Sequence, residues 1–181
     1  HLTVKTDIPV IITGAMRSVD EIGYDGLHNL LSAISVASST KAKEKGALVV
    51  FNEEIHSAKY VTKTHTINVA TFQSPQTGPI GTVTKKGVHF YFDPAVKEHY
   101  EVERKLNKNV ILLKAYAGMD SSLFHAALQS NCDGIVIETL GQGNLPPATL
   151  DGIKALIEKN IPIVAVSRCF NGSIHETYGY D

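Results

Sequence analysis

Apolar residues come in short β-branched runs separated by amphipathic stretches. Residues 8–13, Ile-Pro-Val-Ile-Ile-Thr, form one such run followed by Gly14, the pattern of a strand covered on both faces. Asp25 and Gly26 open a helix in which Leu27, Leu30, Leu31, Ile34 and Ala37 recur at three- and four-residue spacing as one apolar stripe. Gly46 is the predicted stop of that helix, and 47–51, Ala-Leu-Val-Val-Phe, reads as a second buried strand. Strand, helix, strand implies a right-handed parallel unit.

From Tyr60 to Tyr91 the pattern shortens into Thr-, Val- and Phe-rich segments broken by Gly78-Pro79 and Lys85-Lys86-Gly87. These predict an antiparallel hairpin region. Residues 92–108 carry many charges and no apolar period, which is the composition of a connector. The alternation then restarts. Strands are predicted at 110–115, 134–138 and 161–166, with one helix capped by Asp120-Ser-Ser and another begun at Pro146-Pro147. The expected class is α/β, in two lobes joined by a linker.

Composition narrows the partner. The chain has 181 residues, 43% of them hydrophobic, with 17 basic and 18 acidic side chains for a net charge of -1. Such a chain can bury a core, and it offers no electrostatic footprint for nucleic acid or an anionic membrane. A small molecule is the favoured ligand. The longest apolar stretch, 8–16, is far shorter than the roughly 18 residues of a membrane span. No cationic leader followed by an apolar run is visible, and the first residue is His1 rather than Met, so the sequence is expected to begin inside a longer chain. Two cysteines, Cys132 and Cys169, fit a reducing compartment.

In open α/β sheets ligands bind beyond the carboxyl ends of strands, and three segments fall there: 13–17, 138–144 and 167–172. Thr13-Gly-Ala-Met-Arg17 offers small residues past which backbone groups can reach a ligand. Taken alone it reads as a plain strand-to-loop turn with a solvated arginine, since four residues of this kind are common. Gly141-Gln-Gly-Asn144 lacks the spacing of a phosphate loop; its two amides suit a carboxylate, an ammonium group or a neighbouring chain. In Val61-Thr-Lys-Thr64 an extended backbone would point Lys63 one way and the two threonines the other. Lys63 is then either a desolvated base toward a hydroxyl nucleophile or an exposed edge-strand lysine. Eight histidines show no ligand-type spacing, and Cys169 with His175 carries no nucleophile signature.

Seven segments stand in a particular order: Thr13-Gly-Ala-Met-Arg17, Asp25-Gly-x-x-Asn29-Leu30, Gly46-Ala-Leu-Val-Val50, Val61-Thr-Lys-Thr64, Phe72-x-Ser74, Gly78-Pro-x-Gly81 and Gly141-x-Gly-Asn144. Together they resemble the bacterial-type L-asparaginase family across nearly the whole chain. The resemblance implies two parallel-sheet α/β lobes in an asparaginase-like fold. Residues 1–91 would be the second half of the N-terminal lobe, with the hairpin region at 60–91. Residues 92–108 would be the linker, and 109–181 the first part of the C-terminal lobe. It implies hydrolysis of the side-chain amide of L-asparagine, or of L-glutamine, to acid and ammonia through a threonine acyl-enzyme, without metal or organic cofactor, in a cytoplasmic homodimer or homotetramer.

By motif match Lys63 corresponds to the family's catalytic lysine. Ala15 and Met16 correspond to the substrate-contact loop, and Asn144 with Gln142 to the loop that reaches the substrate's α-amino end across a dimer interface. Glu176 lies where the family places a glutamate from the neighbouring subunit. The family's Thr-Gly-Gly-Thr and His-Gly-Thr-Asp-Thr segments have no counterpart in these residues, so the N-terminal strands, the nucleophile and the C-terminal helices are expected outside them. Two alternatives stay open. One is a catalytically incomplete ligand-binding or oligomerisation module; the other is an amidotransferase subunit of a tRNA-dependent pathway, which would want a basic patch.

Overall fold

In the computed structural model the chain divides into two compact units, His1–Glu103 and Arg104–Asp181. The structure describes residues 1–94, 99–102 and 105–176, so parts of the expected connector 92–108 lie outside the described residues.

The first unit contains Val10–Ile12 (β1), Gly26–Ala37 (α1), Ala47–Phe51 (β2), Glu54–Ser57 (β3), Thr62–Lys63 (β4), Phe72–Gln73 (β5), Gly81–Thr84 (β6) and Gly87–Phe90 (β7). Five strands form one sheet in the order β1-β2-β3-β6-β7, and β4 pairs with β5 separately. Strands β1 and β2 run parallel, with Val10 opposite Ala47, whereas β2-β3, β3-β6 and β6-β7 are antiparallel. The parallel β1-β2 pair is the unit that the strand-helix-strand pattern predicts, and β6-β7 is an antiparallel hairpin inside the expected hairpin region; the sheet as a whole is mixed rather than the parallel-sheet lobe that the resemblance implied. The reversal occurs at Asn52 and Glu53, which both have positive φ, 47° and 65°. A two-residue turn of that kind matches the twist of a hairpin, and neither residue is the glycine that would have announced it.

Helix α1 packs on one face of the sheet, where Ala33 and Val36 meet Leu48, Val50 and Ile55. Its buried residues are Asn29, Ser32, Ala33 and Val36. The aliphatic stripe faces outward: Leu27 and Leu31 are 66% and 65% exposed. Small residues on the inner face let the helix lie close to the strands. The helix also ends earlier than Gly46, at Ala37. The Ser38 hydroxyl donates to the Ile34 carbonyl at 2.7 Å, and a 3-10 turn at Thr40–Ala42 follows.

Register places Val49 opposite His56 and Phe51 opposite Glu54. Side chains alternate along a strand, so these four lie on the sheet face away from α1. There Phe72 of β5 stacks on Phe51, ring centroids 4.5 Å apart. The β4-β5 hairpin thus covers the second face.

The second unit contains Val110–Lys114 (β8), Ser122–Gln129 (α2), Gly134–Thr139 (β9), Leu150–Glu158 (α3) and Ile163–Ser167 (β10). Its sheet is parallel throughout, ordered β10-β9-β8. Phe124 and Ala127 of α2 and Leu156 of α3 close over Ile135 and Ile137, with Cys132 buried among them. No helix among the described residues is long and apolar enough to cross a membrane.

Candidate active site

Because β1 and β2 are parallel, their carboxyl ends share one edge, and the loop 14–17 leaves from it. The Thr13 hydroxyl donates to the Val50 carbonyl at 2.7 Å and joins the two strand ends. The loop is then held by α1. The Asp25 carboxylate accepts from the backbone N–H groups of Met16 and Arg17 at 3.0 Å. Asn29, one helical turn on and buried, donates from Nδ2 to the Gly14 carbonyl at 3.0 Å and to Asp25 at 2.9 Å. Its Oδ1 accepts the Asn52 N–H at 3.0 Å. Burial pushes the Asp25 carboxyl up, but hydrogen bonds led by those from Arg17 and Met16 outweigh it and hold the group below its ordinary value. The network leaves Ala15 exposed and Met16 half-buried on a loop of defined shape. Arg17 is turned back on its own loop, with its guanidinium donating to the Gly23 carbonyl at 2.9 Å.

Lys63 lies opposite Phe72 in the hairpin, so the two side chains share a face. Phe72 stacks on Phe51, the last residue of β2, and the Phe51 ring lies against Gly14, where an added Cβ would meet Cζ at 3.4 Å. This succession of contacts turns the Lys63 face of the hairpin toward the edge that carries loop 14–17. Lys63 is exposed, so these residues do not desolvate it.

In the second unit the loops at the carboxyl ends of β9 and β10 are tied together. Ser167 donates to the Gly141 carbonyl at 2.6 Å, and the Arg168 N–H donates to the Thr139 carbonyl at 3.0 Å. Asn144 is pinned through both backbone groups to Leu140, each bond 2.9 Å. Gly143, at φ +132°, sits where a Cβ would come within 2.9 Å of Ile174, so only glycine fits the crossing. The His175 N–H donates to the Gln142 carbonyl at 3.2 Å. Gln142, half-buried Asn144 and exposed Glu176, which follows His175, therefore gather at one edge of this unit.

Sequence reasoning named Asp25 as a helix opener and Asn29 as a motif member, and missed their grip on loop 14–17. Their i, i+4 spacing, which puts both on one helix face, was the available signal. It also missed His56, which the long-range pairing of β3 buries. His28 and His125 sit 3.2 and 3.1 Å from Glu53 and Asp151. The His175 ring is 2.8 Å from the Ser173 hydroxyl. Among the described residues no three His, Cys, Asp or Glu side chains converge as a metal site would require. A cavity of about 640 Å³ lined by residues such as His1, Lys45, Asp93 and His99 includes none of the candidate site residues.

Two units, each with helices packed on a sheet and loops at the carboxyl ends of its parallel strands, define an α/β protein. Residues 1–96 match the family model "Asparaginase, N-terminal" and residues 109–181 match "Glutaminase/Asparaginase C-terminal domain"; the chain belongs to the asparaginase family. It is 35% identical to L-asparaginase 2 of Bacillus subtilis, covering 99% of this chain and 49% of that protein. It is 38% identical to a probable L-asparaginase of Deinococcus radiodurans, covering 99% of this chain and 55% of that one. Among solved structures, a probable cytoplasmic L-asparaginase from Campylobacter jejuni matches with a TM-score of 0.90 at 33% identity, over 97% of this chain and 58% of that chain. The fold is asparaginase-like. The chain spans about half the length of the curated relatives it matches.

Proposed function

We propose that the intact protein is an L-asparaginase that hydrolyses the side-chain amide of L-asparagine to L-aspartate and ammonia. The observation that carries this reading is the match of both asparaginase family models, in order, over nearly all of the chain. A threonine hydroxyl outside these 181 residues attacks the amide carbon, ammonia leaves after protonation, and water cleaves the resulting ester. Lys63 is the catalytic lysine, acting on the proton that the nucleophile gives up. Backbone groups of Ala15 and Met16 meet the substrate amide. Gln142 and Asn144 bind the α-amino end, and Glu176 completes the pocket, both from a neighbouring subunit of a homodimer or homotetramer. A cytoplasmic location is part of the proposal, supported by the solved Campylobacter jejuni relative, a probable cytoplasmic L-asparaginase.

Ammonia release from L-asparagine and L-glutamine by the intact protein tests the reading. Lys63→Met is expected to lower kcat by about a hundredfold or more, the scale of a lost general acid-base group, with unchanged circular dichroism. Turnover near that of the unaltered protein removes Lys63 from the mechanism. A second reading is a catalytically incomplete ligand-binding module; calorimetric binding of L-aspartate by the intact protein without ammonia release would establish it instead. An amidotransferase subunit is less well supported, since 17 basic side chains against 18 acidic ones leave no basic excess for tRNA.

A further inference from the structure

The hairpin that carries Lys63 pairs two residues with two, too little to hold a fixed position unaided. Its own loop is closed by Thr71: the Thr71 carbonyl accepts from the Thr64 N–H at 2.8 Å and from the Thr64 hydroxyl at 2.9 Å, and the Thr71 hydroxyl is bonded to the backbone of His65. Those bonds shape the hairpin without locating it. The Tyr60 and Val61 N–H groups tether its entry to the Ser57 carbonyl, and two side-chain contacts join it to the five-stranded sheet. One is the Phe72-Phe51 stack, which permits sliding. The other is polar and directional. Ser74, the residue after β5, places its hydroxyl 3.0 Å from Nδ1 of His56 on β3, and Nε2 of the same ring lies 3.2 Å from the Glu54 carboxylate.

The proton arrangement follows from the partners. A carboxylate only accepts, so Nε2–H donates to Glu54, and Nδ1 is left to accept the Ser74 O–H. His56 is fully buried and Ser74 nearly so; an unanswered nitrogen or hydroxyl there would be costly. The Ser74 carbonyl meanwhile accepts from the N–H groups of Thr77 and Gly78, so the hydroxyl is presented from a closed turn. Burial lowers the proton affinity of the ring more than Glu54 restores it, which keeps the ring in the neutral form that this arrangement needs.

We propose that His56 is a positioning residue for Lys63: its imidazole, oriented by Glu54, grips Ser74 and sets where the hairpin presents the lysine relative to loop 14–17. This rests on the reading of Lys63 as the catalytic lysine. Loop 14–17 and the turn 141–144 are held by other bonds, so substrate binding is left intact when the grip is lost.

The test uses the intact protein with Ser74→Ala, Ser74→Thr and His56→Asn. Ser74→Ala is expected to lower kcat for L-asparagine about tenfold to a hundredfold with KM within about twofold, the scale of a small misplacement of a reacting group. Hydrogen exchange should quicken in 62–73 and stay unchanged in β2. Ser74→Thr keeps the hydroxyl and is expected to recover kcat to within about threefold, in line with a retained hydrogen bond. Should Ser74→Ala lose its fold, His56→Asn, which keeps an acceptor near the Nδ1 position, is compared with His56→Leu for the same kcat difference. Equal kcat in the paired variants, or exchange that quickens throughout the sheet, overturns the proposal while the asparaginase reading stands. An unaltered protein that releases no ammonia overturns both.

Discussion

Helices α1 and α2 perform the same architectural task and fill their inner faces differently. In the second unit α2 presses Phe124 and Ala127 onto the sheet beside Leu156 of α3, as an apolar moment dictates. In the first unit α1 turns Asn29, Ser32, Ala33 and Val36 inward and leaves Leu27, Leu30, Leu31 and Ile34 outside. The difference lies in what the helix must hold. Asp25 and Asn29 grip loop 14–17 and the turn at Asn52, and those bonds act with the packing of Ala33 and Val36 to hold α1 in this rotation. A buried polar network with every partner in place can override a hydrophobic stripe, because breaking it strands several backbone groups at once.

That contrast can be tested in denaturant titrations of the chain. Phe124→Ala empties the centre of the second unit and is expected to cost about 3 to 5 kcal/mol; a much smaller loss would mean that α2 is not anchored through its apolar face. Asn29→Ala leaves the Gly14 carbonyl and the Asn52 N–H without their partner, and about 2 to 3 kcal/mol should be lost. Faster hydrogen exchange of the Met16 and Arg17 amides should accompany it. If Asn29→Ala instead proved neutral, the stripe rather than the network would govern α1.

Acid should act on the same network. The Asp25 carboxyl is held below its ordinary value of 3.8, so it contributes stability at pH values above 3.8 and loses that contribution as pH falls through the lower folded-state value. Asp25→Asn is expected to flatten this part of the stability-pH curve, measured as unfolding free energy at a series of acidic pH values. The smallest effect is expected at the stripe. Leu31→Ser changes an exposed side chain and should shift stability by no more than about 0.5 kcal/mol, whereas a loss several times larger would show the stripe to be covered.

Much of the second unit was readable in advance. Its strands are continuous apolar runs separated by helices, and parallel pairing buries such runs on both sides. In the first unit the same reasoning found β1, β2, the start of α1 and the antiparallel hairpin that β6 and β7 form, and missed what lies between β2 and that hairpin. Strand β3, Glu-Ile-His-Ser, carries two polar residues in four, and the Asn52-Glu53 turn lacks glycine, so neither strand nor reversal was announced. Among the candidate site residues, Lys63 and the loops containing Ala15, Met16, Gln142 and Asn144 were located by motif order. The same motifs contain Asp25, Asn29 and Ser74 but not what these residues support, because they and His56 act on partners 8 to 23 positions away.

The order of apolar runs, helical spacings and turn residues along the chain determined the α/β class, and the series of short motifs determined the family resemblance, since both are properties of neighbours in sequence. Which side of α1 faces the sheet, where β3 joins the sheet and what holds the Lys63 hairpin were decided only by tertiary structure. Each depends on pairing a buried donor with an acceptor far along the chain, and local periodicity carries no record of where that partner lies.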